Sequence, residues 1–349
     1  MRRDATGEAN FERYWRRQLR RVARLAETRS GMLRAPFVAI DMDNPPPVNV
    51  SGNFEARYLA FLETIAHLRP KLHRYCARMT GSTFDGEDVV QEALFDAYRK
   101  LDTFDDTRPL TPWLFRIAHN RCIDFLRRRG VRDAVESAAA EPDSVAPREA
   151  VGSALGDAVE HLVLALPPKE RACVLLKDVF DYSLEEIAEL VDSTVGGVKA
   201  ALSRGRSKLA EQPIGVPSTR AKSEVDANLL RLYVERFNER DWDGLRDLIA
   251  ADARLSVADR FIGRLVDSPY VGNYERIKTT WRMAVGSVDD EPAVIILHGS
   301  DDLWTPGAAV RLDIADGLVT RIVDYWHCPW ILSTTSALAF DDPGESPVR

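Results

Sequence analysis

SLEEIAELVDSTVGGVKAALSRGRSKL, running from Ser183 to Leu209, is the stretch that decides how this 349-residue chain is read. Ser183 with Glu186 three residues later is a capping box that opens a helix. Ile187, Ala188, Leu190 and Val191 give that helix an apolar face, and Asp192, Ser193 and Thr194 supply a turn and a fresh N-cap. A second helix then turns Val198, Leu202 and Leu209 inward and leaves Lys199, Ser203, Arg204, Arg206 and Lys208 outward. Two short helices joined by a tight turn, the second one basic, make a helix-turn-helix, whose second helix enters the DNA major groove with its N-terminal end at the base edges. A plain helical hairpin with a solvated basic face has the same local pattern, so the rest of the chain has to arbitrate.

Upstream, FDGEDVVQEALFDAYRKLDTF (Phe84 to Phe104) reads as a helix with an acidic and amide face made of Asp85, Glu87, Asp88, Gln91 and Glu92. WLFRIAHNRCIDFLRRRG (Trp113 to Gly130) follows, with Arg116, Asn120, Arg121, Arg127, Arg128 and Arg129 interleaved among Trp113, Phe115 and Phe125. Cations that hold phosphates beside aromatic faces that stack bases suit unpaired DNA. At helical spacing the same aromatics also read as core, and that is the expectation for Trp113 and Phe125.

Working outward, the length suggests two or three domains. The composition, 45% apolar and 29% charged, is that of a globular protein. No apolar run approaches the roughly 18 residues that span a bilayer. The start, MRRDATGEANFERYWRRQLRR, lacks the apolar segment of a secretory signal. Cys76, Cys122, Cys173 and Cys328 are too far apart for a CxxC or zinc pattern, so reduced thiols in a cytoplasmic protein, no metal and no cofactor are expected. The net charge of −7 is unevenly placed: residues 1–35 hold ten Arg against four acidic residues, whereas residues 225–335 hold twelve basic against eighteen acidic ones. An acidic protein can still present a basic stripe to phosphates.

Punctuation divides the chain. Residues 1–53 are an arginine-rich extension, with an amphipathic helix from Phe11 to about Glu27 and a linker, DMDNPPPVNVSGN, whose three prolines exclude a helix. Residues 54–130 read as a helical bundle, 131–155 as a flexible linker poor in large apolar side chains, 156–210 as the helix-turn-helix domain and 211–223 as a second linker. From 224 to 335 a helix, LLRLYVERFNERDWDGLRDLI, precedes short apolar runs. In VRLDIADGLVTRIVDYW, Asp316-Gly317 between alternating stretches is a hairpin signal. The expectation is an α+β domain, with a disordered tail over 336–349.

From Phe54 to Leu209 the chain resembles the extracytoplasmic-function (ECF) sigma factors of bacterial RNA polymerase. The Phe84–Phe104 segment resembles sigma region 2.2, Trp113–Gly130 regions 2.3 and 2.4, and LPPKERACVLLKDVFDYSLEEIAELVDSTVGGVKAALSRGRSKL region 4. The resemblance implies two all-α sigma domains and a non-enzymatic protein that binds core polymerase through its beta-prime clamp and beta flap and recognises promoter DNA. Carried over by position, Asp88, Gln91 and Glu92 face the clamp. Asn120, Arg121, Arg127 and Arg128 lie against the −10 element, and Lys199, Ser203, Arg204 and Arg206 against the −35 element. The linker 131–155 threads toward the RNA exit path. Two positions depart from the pattern: Gly197 and Ala201 stand where many members have a Thr and, nearby, an Arg, which leaves more of the readout to phosphates and DNA shape.

The segment from 224 onward, chiefly FNERDWDGL and the closing strand, resembles the SnoaL-like or ketosteroid-isomerase-like cone, which usually holds an apolar pocket. Asp259, His298, Asp324, Tyr325 and His327 are the candidate pocket residues. The resemblance implies a domain that modulates the sigma factor, and a small-molecule ligand in its pocket is one means; the acidic balance of residues 225–335 offers another, an autoinhibitory contact with the chain's own basic surfaces. The competing reading is a SnoaL-type enzyme or ligand sensor carrying a DNA-binding helix-turn-helix.

Overall fold

The computed structural model describes residues 52–105, 107–139, 164–211, 224–258, 260–300 and 303–341. The expected arginine-rich helix, most of the linker 131–155 and the second linker therefore lie outside the described residues. The described chain forms two compact units that divide near Ala221.

In the first unit, helix α1 (Gly52–Thr80) buries Phe61, Ile65, Leu68, Leu72, Tyr75 and Met79 at intervals of three and four residues. Gly81, at φ +81°, ends it and returns its amide to the Ala77 carbonyl. Ser82 then caps α2 (Thr83–Arg99) by accepting from the Asp85 amide. The two helices touch at Gly86, where a Cβ would stand 2.5 Å from the Ala77 backbone nitrogen, so only glycine admits this approach. Arg69 of α1 and Glu87 of α2, both buried, form an ion pair that the Gln91 amide joins at 3.3 Å. Helix α3 (Leu110–Ala139) runs nine residues beyond Gly130, into the segment expected to be linker. The Ala-rich continuation VRDAVESAA contains no Gly or Pro to stop it.

His119 of α3 is buried with its Nδ1 2.8 Å from the Tyr75 hydroxyl, and desolvation pulls its pKa down to about 4. Because the folded state favours the neutral ring, this contribution is complete above the unfolded pKa near 6.5 and is lost as pH falls from there toward about 4. The shift corresponds to a loss on the order of 3 kcal/mol. Urea midpoints of this unit should fall between pH 7.5 and pH 4.5, and His119→Gln should flatten that dependence.

The remaining helices of this unit are α4 (Pro168–Val174), a π-turn over Leu175–Val179, α5 (Leu184–Leu190) and α6 (Val195–Glu211). The capping box is present: Glu186 N–H donates to the Ser183 hydroxyl at 3.2 Å, and the Ser183 amide donates to Glu186 Oε2 at 2.7 Å. Asp192 makes the turn at φ +50°. Gly205 of α6 lies directly on Val174, which seats α6 on α4.

The second unit opens with α7 (Glu224–Glu239) and α8 (Trp242–Asp247). The sheet strands are β1 (Ile249–Val257), β2 (Phe261–Arg264), β3 (Trp281–Val288), β4 (Glu291–Ser300), β5 (Leu303–Ala315), β6 (Leu318–Asp324) and β7 (Leu338–Phe340). Short helices α9 (Tyr270–Glu275) and α10 (Trp330–Thr334) interrupt them. The sheet order is β2-β1-β6-β5-β4-β3-β7, with β1 and β6 parallel and every other pair antiparallel. Asp316 and Gly317, at φ +52° and +74°, form the expected two-residue hairpin between Ala315 and Leu318. Asp289 and Asp290 do the same between β3 and β4. Leu229, Tyr233 and Phe237 of α7 enter one core with the sheet and α9.

The tail expected to be disordered from residue 336 instead contributes β7, which pairs with β3 through Gly286↔Phe340 and Val288↔Leu338. Its anchor is Asp289, whose Oδ1 accepts from the Thr335 hydroxyl at 2.6 Å, the Ser336 amide at 2.7 Å and the Ala337 amide at 3.0 Å. Residues 342–349 lie outside the described residues.

Candidate functional sites

Helices α2 and α3 bring the residues expected at the polymerase and those expected at the −10 element side by side. Glu92 of α2 lies 3.5 Å from Arg121 and 3.7 Å from Arg128 of α3. Arg121 also donates through Nε to Asp96 at 2.8 Å. Burial works against its charge, but the Asp96 bond, with Glu92 behind it, lifts its pKa above the ordinary guanidinium value. Arg127 pairs with Asp124 at 2.9 Å, and Asn120 is exposed. Asp88 and Gln91 are partly buried on α2.

On α6, Lys199 and Ser203 are exposed. The other basic side chains lean back on the domain: Arg204 and Lys208 each reach Glu170 at 2.8 Å, and Arg206 reaches Asp178. Hydrogen bonds from Lys208 and Arg204 hold the Glu170 carboxyl below its usual range. Ala201 is fully buried and faces the core, so it lies away from any DNA face. The Gly197 amide donates to Thr194 Oγ1 at 3.0 Å, and a Cβ there would meet Ser193 Oγ at 2.7 Å, a contact that rotation of the serine side chain relieves.

Trp113, expected in the core, is half-buried. It stands in the first turn of α3 behind Pro112, stacks on Phe104 at 4.6 Å, and lines a cleft of about 160 Å³ with Arg108, Pro109, Pro112, Arg116, Glu189 and Leu190.

The chain matches the family models for sigma-70 region 2 over residues 64–132 and sigma-70 region 4 over residues 156–209. It is 34% identical to the ECF RNA polymerase sigma factor SigW of Bacillus subtilis over 165 residues, which cover 44% of this chain and 88% of that protein. The chain belongs to the ECF sigma factors. This sigma factor directs transcription initiation and, like its family, binds DNA. It is also similar to SigG of Mycobacterium tuberculosis, at 29% identity over an alignment that spans 86% of this chain and 89% of that protein, and so takes in the α+β unit. Among solved structures it is similar to SigJ of Mycobacterium tuberculosis (18% identity, TM-score 0.30, 80% of this chain and 98% of that one). Over 36% of its length it is similar to a ketosteroid isomerase of Kribbella flavida described there as putative (23% identity, TM-score 0.24, 85% of that chain).

In the α+β unit of the sigma factor, Asp324 at the end of β6 is fully buried. Tyr270 and Tyr274 of α9 donate their hydroxyls to its Oδ2 at 2.9 and 2.6 Å, and the Trp326 amide donates to Oδ1 at 2.8 Å. Burial raises the Asp324 pKa against the pull of these donors, and it raises both tyrosines well above their ordinary value. Trp326 packs edge-on against Tyr274 at 5.7 Å and against His298 at 5.0 Å. The His298 ring lies over Gly307, where a Cβ would stand 2.3 Å from its Cδ2, and burial lowers its pKa. Of the candidate pocket residues, His298 and Asp324 therefore share one aromatic neighbourhood through Trp326. Tyr325 is buried with its amide on the Ala309 carbonyl, His327 is half-buried, and Asp259 lies outside the described residues. Tyr270 and Tyr274 were not picked out by the sequence, because a six-residue helix has no periodicity to read.

Proposed function

We propose that this sigma factor seats Asp88, Gln91 and Glu92 on the beta-prime clamp and region 4 on the beta flap. Asn120, Arg121, Arg127 and Arg128 then lie against the −10 element, and Lys199, Ser203, Arg204 and Arg206 against the −35 element. It works in the cytoplasm, where RNA polymerase is; among the described residues no helix is long and apolar enough to cross a membrane. The observation that carries the reading is the order of the two sigma-70 regions, each presenting an exposed polar helix face, α2–α3 in one and α6 in the other. The domain limits follow the sequence with two extensions: region 2 runs from 54 to the end of α3 at 139, region 4 covers 156–210, and the SnoaL-like domain runs from 224 through β7.

The test is start-site selection by sigma-free core polymerase supplied with the full chain, on templates carrying and lacking the two boxes. Lys199→Ala should weaken −35-dependent binding nearly uniformly across sequences and reduce the salt slope by about 1, because a lysine on a phosphate neutralises one charge. Salt titrations of promoter binding by the polymerase–sigma complex would measure it.

The SnoaL-like domain we take as regulatory, not catalytic. SigW is spanned to 88% by 44% of this chain, so the sigma portion has a relative of its own length. Ending the chain at Glu211 should therefore leave polymerase binding intact and change promoter-dependent transcription. A chain of that length with unchanged transcription would speak against modulation.

A further inference from the structure

The outer face of the sheet in the α+β unit carries a line of arginines. Arg254 of β1 stands directly opposite Arg264 of β2 and beside Arg321 of β6, which in turn faces Asp313 of β5. Their neighbours Leu255 and Val257 point the other way, into the core that α7 shares with the sheet. Arg254 and Arg264 are exposed, and the Arg321 side chain is 39% exposed. Asp313 holds Arg321 at 3.7 Å and Arg311 at 3.1 Å. Among the described residues, Arg254 and Arg264 have no hydrogen-bond or ion-pair partner. Like charges directly opposite each other on paired strands work against the sheet. Here three cations meet in one row, although residues 225–335 hold twelve basic against eighteen acidic side chains. The register shifts on both sides of the row. From Ile249↔Val319 to Arg254↔Arg321, β1 advances five positions and β6 two, and a second shift lies between Asp313 and Ile314. Such bulges re-aim side chains, and these bring Arg254 and Asp313 into line with Arg321.

We propose that this row binds the phosphodiester backbone of the duplex flanking the −35 element, so that the SnoaL-like domain adds a sequence-independent contact to the promoter. The proposal deepens the regulatory reading of that domain and rests on the sigma factor reading. Neighbouring strands stand about 4.8 Å apart, so the three arginine stems spread over about 10 Å. That is about three nucleotide steps of one DNA strand, at about 3.4 Å each along the axis. All three are arginines, whose planar forks pair bidentately with phosphate. Helix α6 ends at Glu211 and α7 begins at Glu224. The twelve residues between them reach about 40 Å at full stretch. A tether of that length keeps the row at roughly millimolar concentration to the duplex that α6 occupies. A contact too weak to hold free DNA therefore counts once α6 is seated in the major groove. An acidic peptide would also answer the charge, but the duplex is the polyanion within the tether's reach whenever the sigma factor is at its promoter.

The test compares the full chain with its double variant Arg254→Gln and Arg264→Gln, each bound to core polymerase on promoter DNA. The double variant should bind more weakly, and the slope of log affinity against log salt should be shallower by about 1.8, because two phosphate contacts are lost. The advantage of the unsubstituted chain should accordingly shrink about tenfold between about 50 and 200 mM salt. Arg254→Lys with Arg264→Lys keeps both charges and should restore most of the slope. Hydroxyl-radical footprints should show protected sugars beside the −35 element that the glutamine variant leaves open. Removing two opposed cations should leave the urea midpoint of the α+β unit unchanged or raised. A lowered midpoint would make the row a support of the sheet and overturn the proposal. Equal slopes and footprints would overturn it too, and would point to an acidic peptide as the occupant. Start-site selection is scored on the same complexes. Its absence with the unsubstituted chain counts against the sigma factor reading, whereas its presence with equal slopes counts only against the DNA contact.

Discussion

Glu87→Ala is expected to cost the helical unit about 3–5 kcal/mol, the range found when one partner of a buried ion pair is removed. Glu87 is fully buried and Arg69 nearly so, and the change takes this carboxylate away from a guanidinium inside the α1–α2 contact. A typical domain has only about 5–15 kcal/mol in hand. The variant should therefore show a large drop in urea midpoint and reduced promoter-dependent transcription at 37 °C, with partial recovery at lower temperature. The paired change Arg69→Met with Glu87→Leu tests the cause. It removes both charges and keeps the volume, so it should recover much of the stability. A double variant as unstable as Glu87→Ala alone would place the loss in packing instead. Glu87 lies one turn from Gln91 on the face proposed for the clamp, so stability has to be measured before any loss of polymerase binding is assigned to contact.

Asp324→Ala should be comparably damaging to the α+β unit. It deprives two buried tyrosine hydroxyls and the Trp326 amide of their acceptor, at about 1–3 kcal/mol for each group left unsatisfied, so a total of about 3–5 kcal/mol is expected after local relaxation. Asp324→Asn keeps one carbonyl acceptor and should lose less. The pH dependence has a definite sign. Burial raises the folded pKa of Asp324, so the folded state binds its proton more readily than the unfolded one. This group's contribution therefore weakens as pH rises from the unfolded value near 3.8 through the raised folded one, and Asp324→Asn should remove that slope. A denaturation series of both variants at several pH values would check this. An unchanged Asp324→Ala would mean that the tyrosines find other partners.

Local chemistry made part of this molecule legible in advance. The capping box at Ser183, the turn at Asp192 and the Asp316-Gly317 hairpin are each set by residues within a few positions of one another, and each is present. The α+β unit was readable as helix first and strands after, and that order holds. The Arg69–Glu87 pair was not readable, since a charged pair 18 positions apart looks the same in sequence whether it is solvated or buried. Nor were the partners of Asp324, which come from 54 and 50 positions away on a helix too short to show a stripe. Arg204 and Arg206 read as outward-facing, and they are exposed, but no pattern tells that Glu170 and Asp178 already hold them. β7 escaped because three residues among polar neighbours carry too little alternation, and its position is fixed by Asp289 from the far side of a hairpin.

That last anchorage bears on handling the protein. β3 would be an outer strand of the sheet were it not for Leu338–Phe340, and a strand left with unpaired amides and carbonyls is a template for joining another chain. A purification tag or fluorescent fusion appended after Arg349 leaves the cover in place, whereas one that replaces the final fifteen residues strips it. Preparations of the second kind should be watched for clumping before any change in their behaviour is credited to regulation.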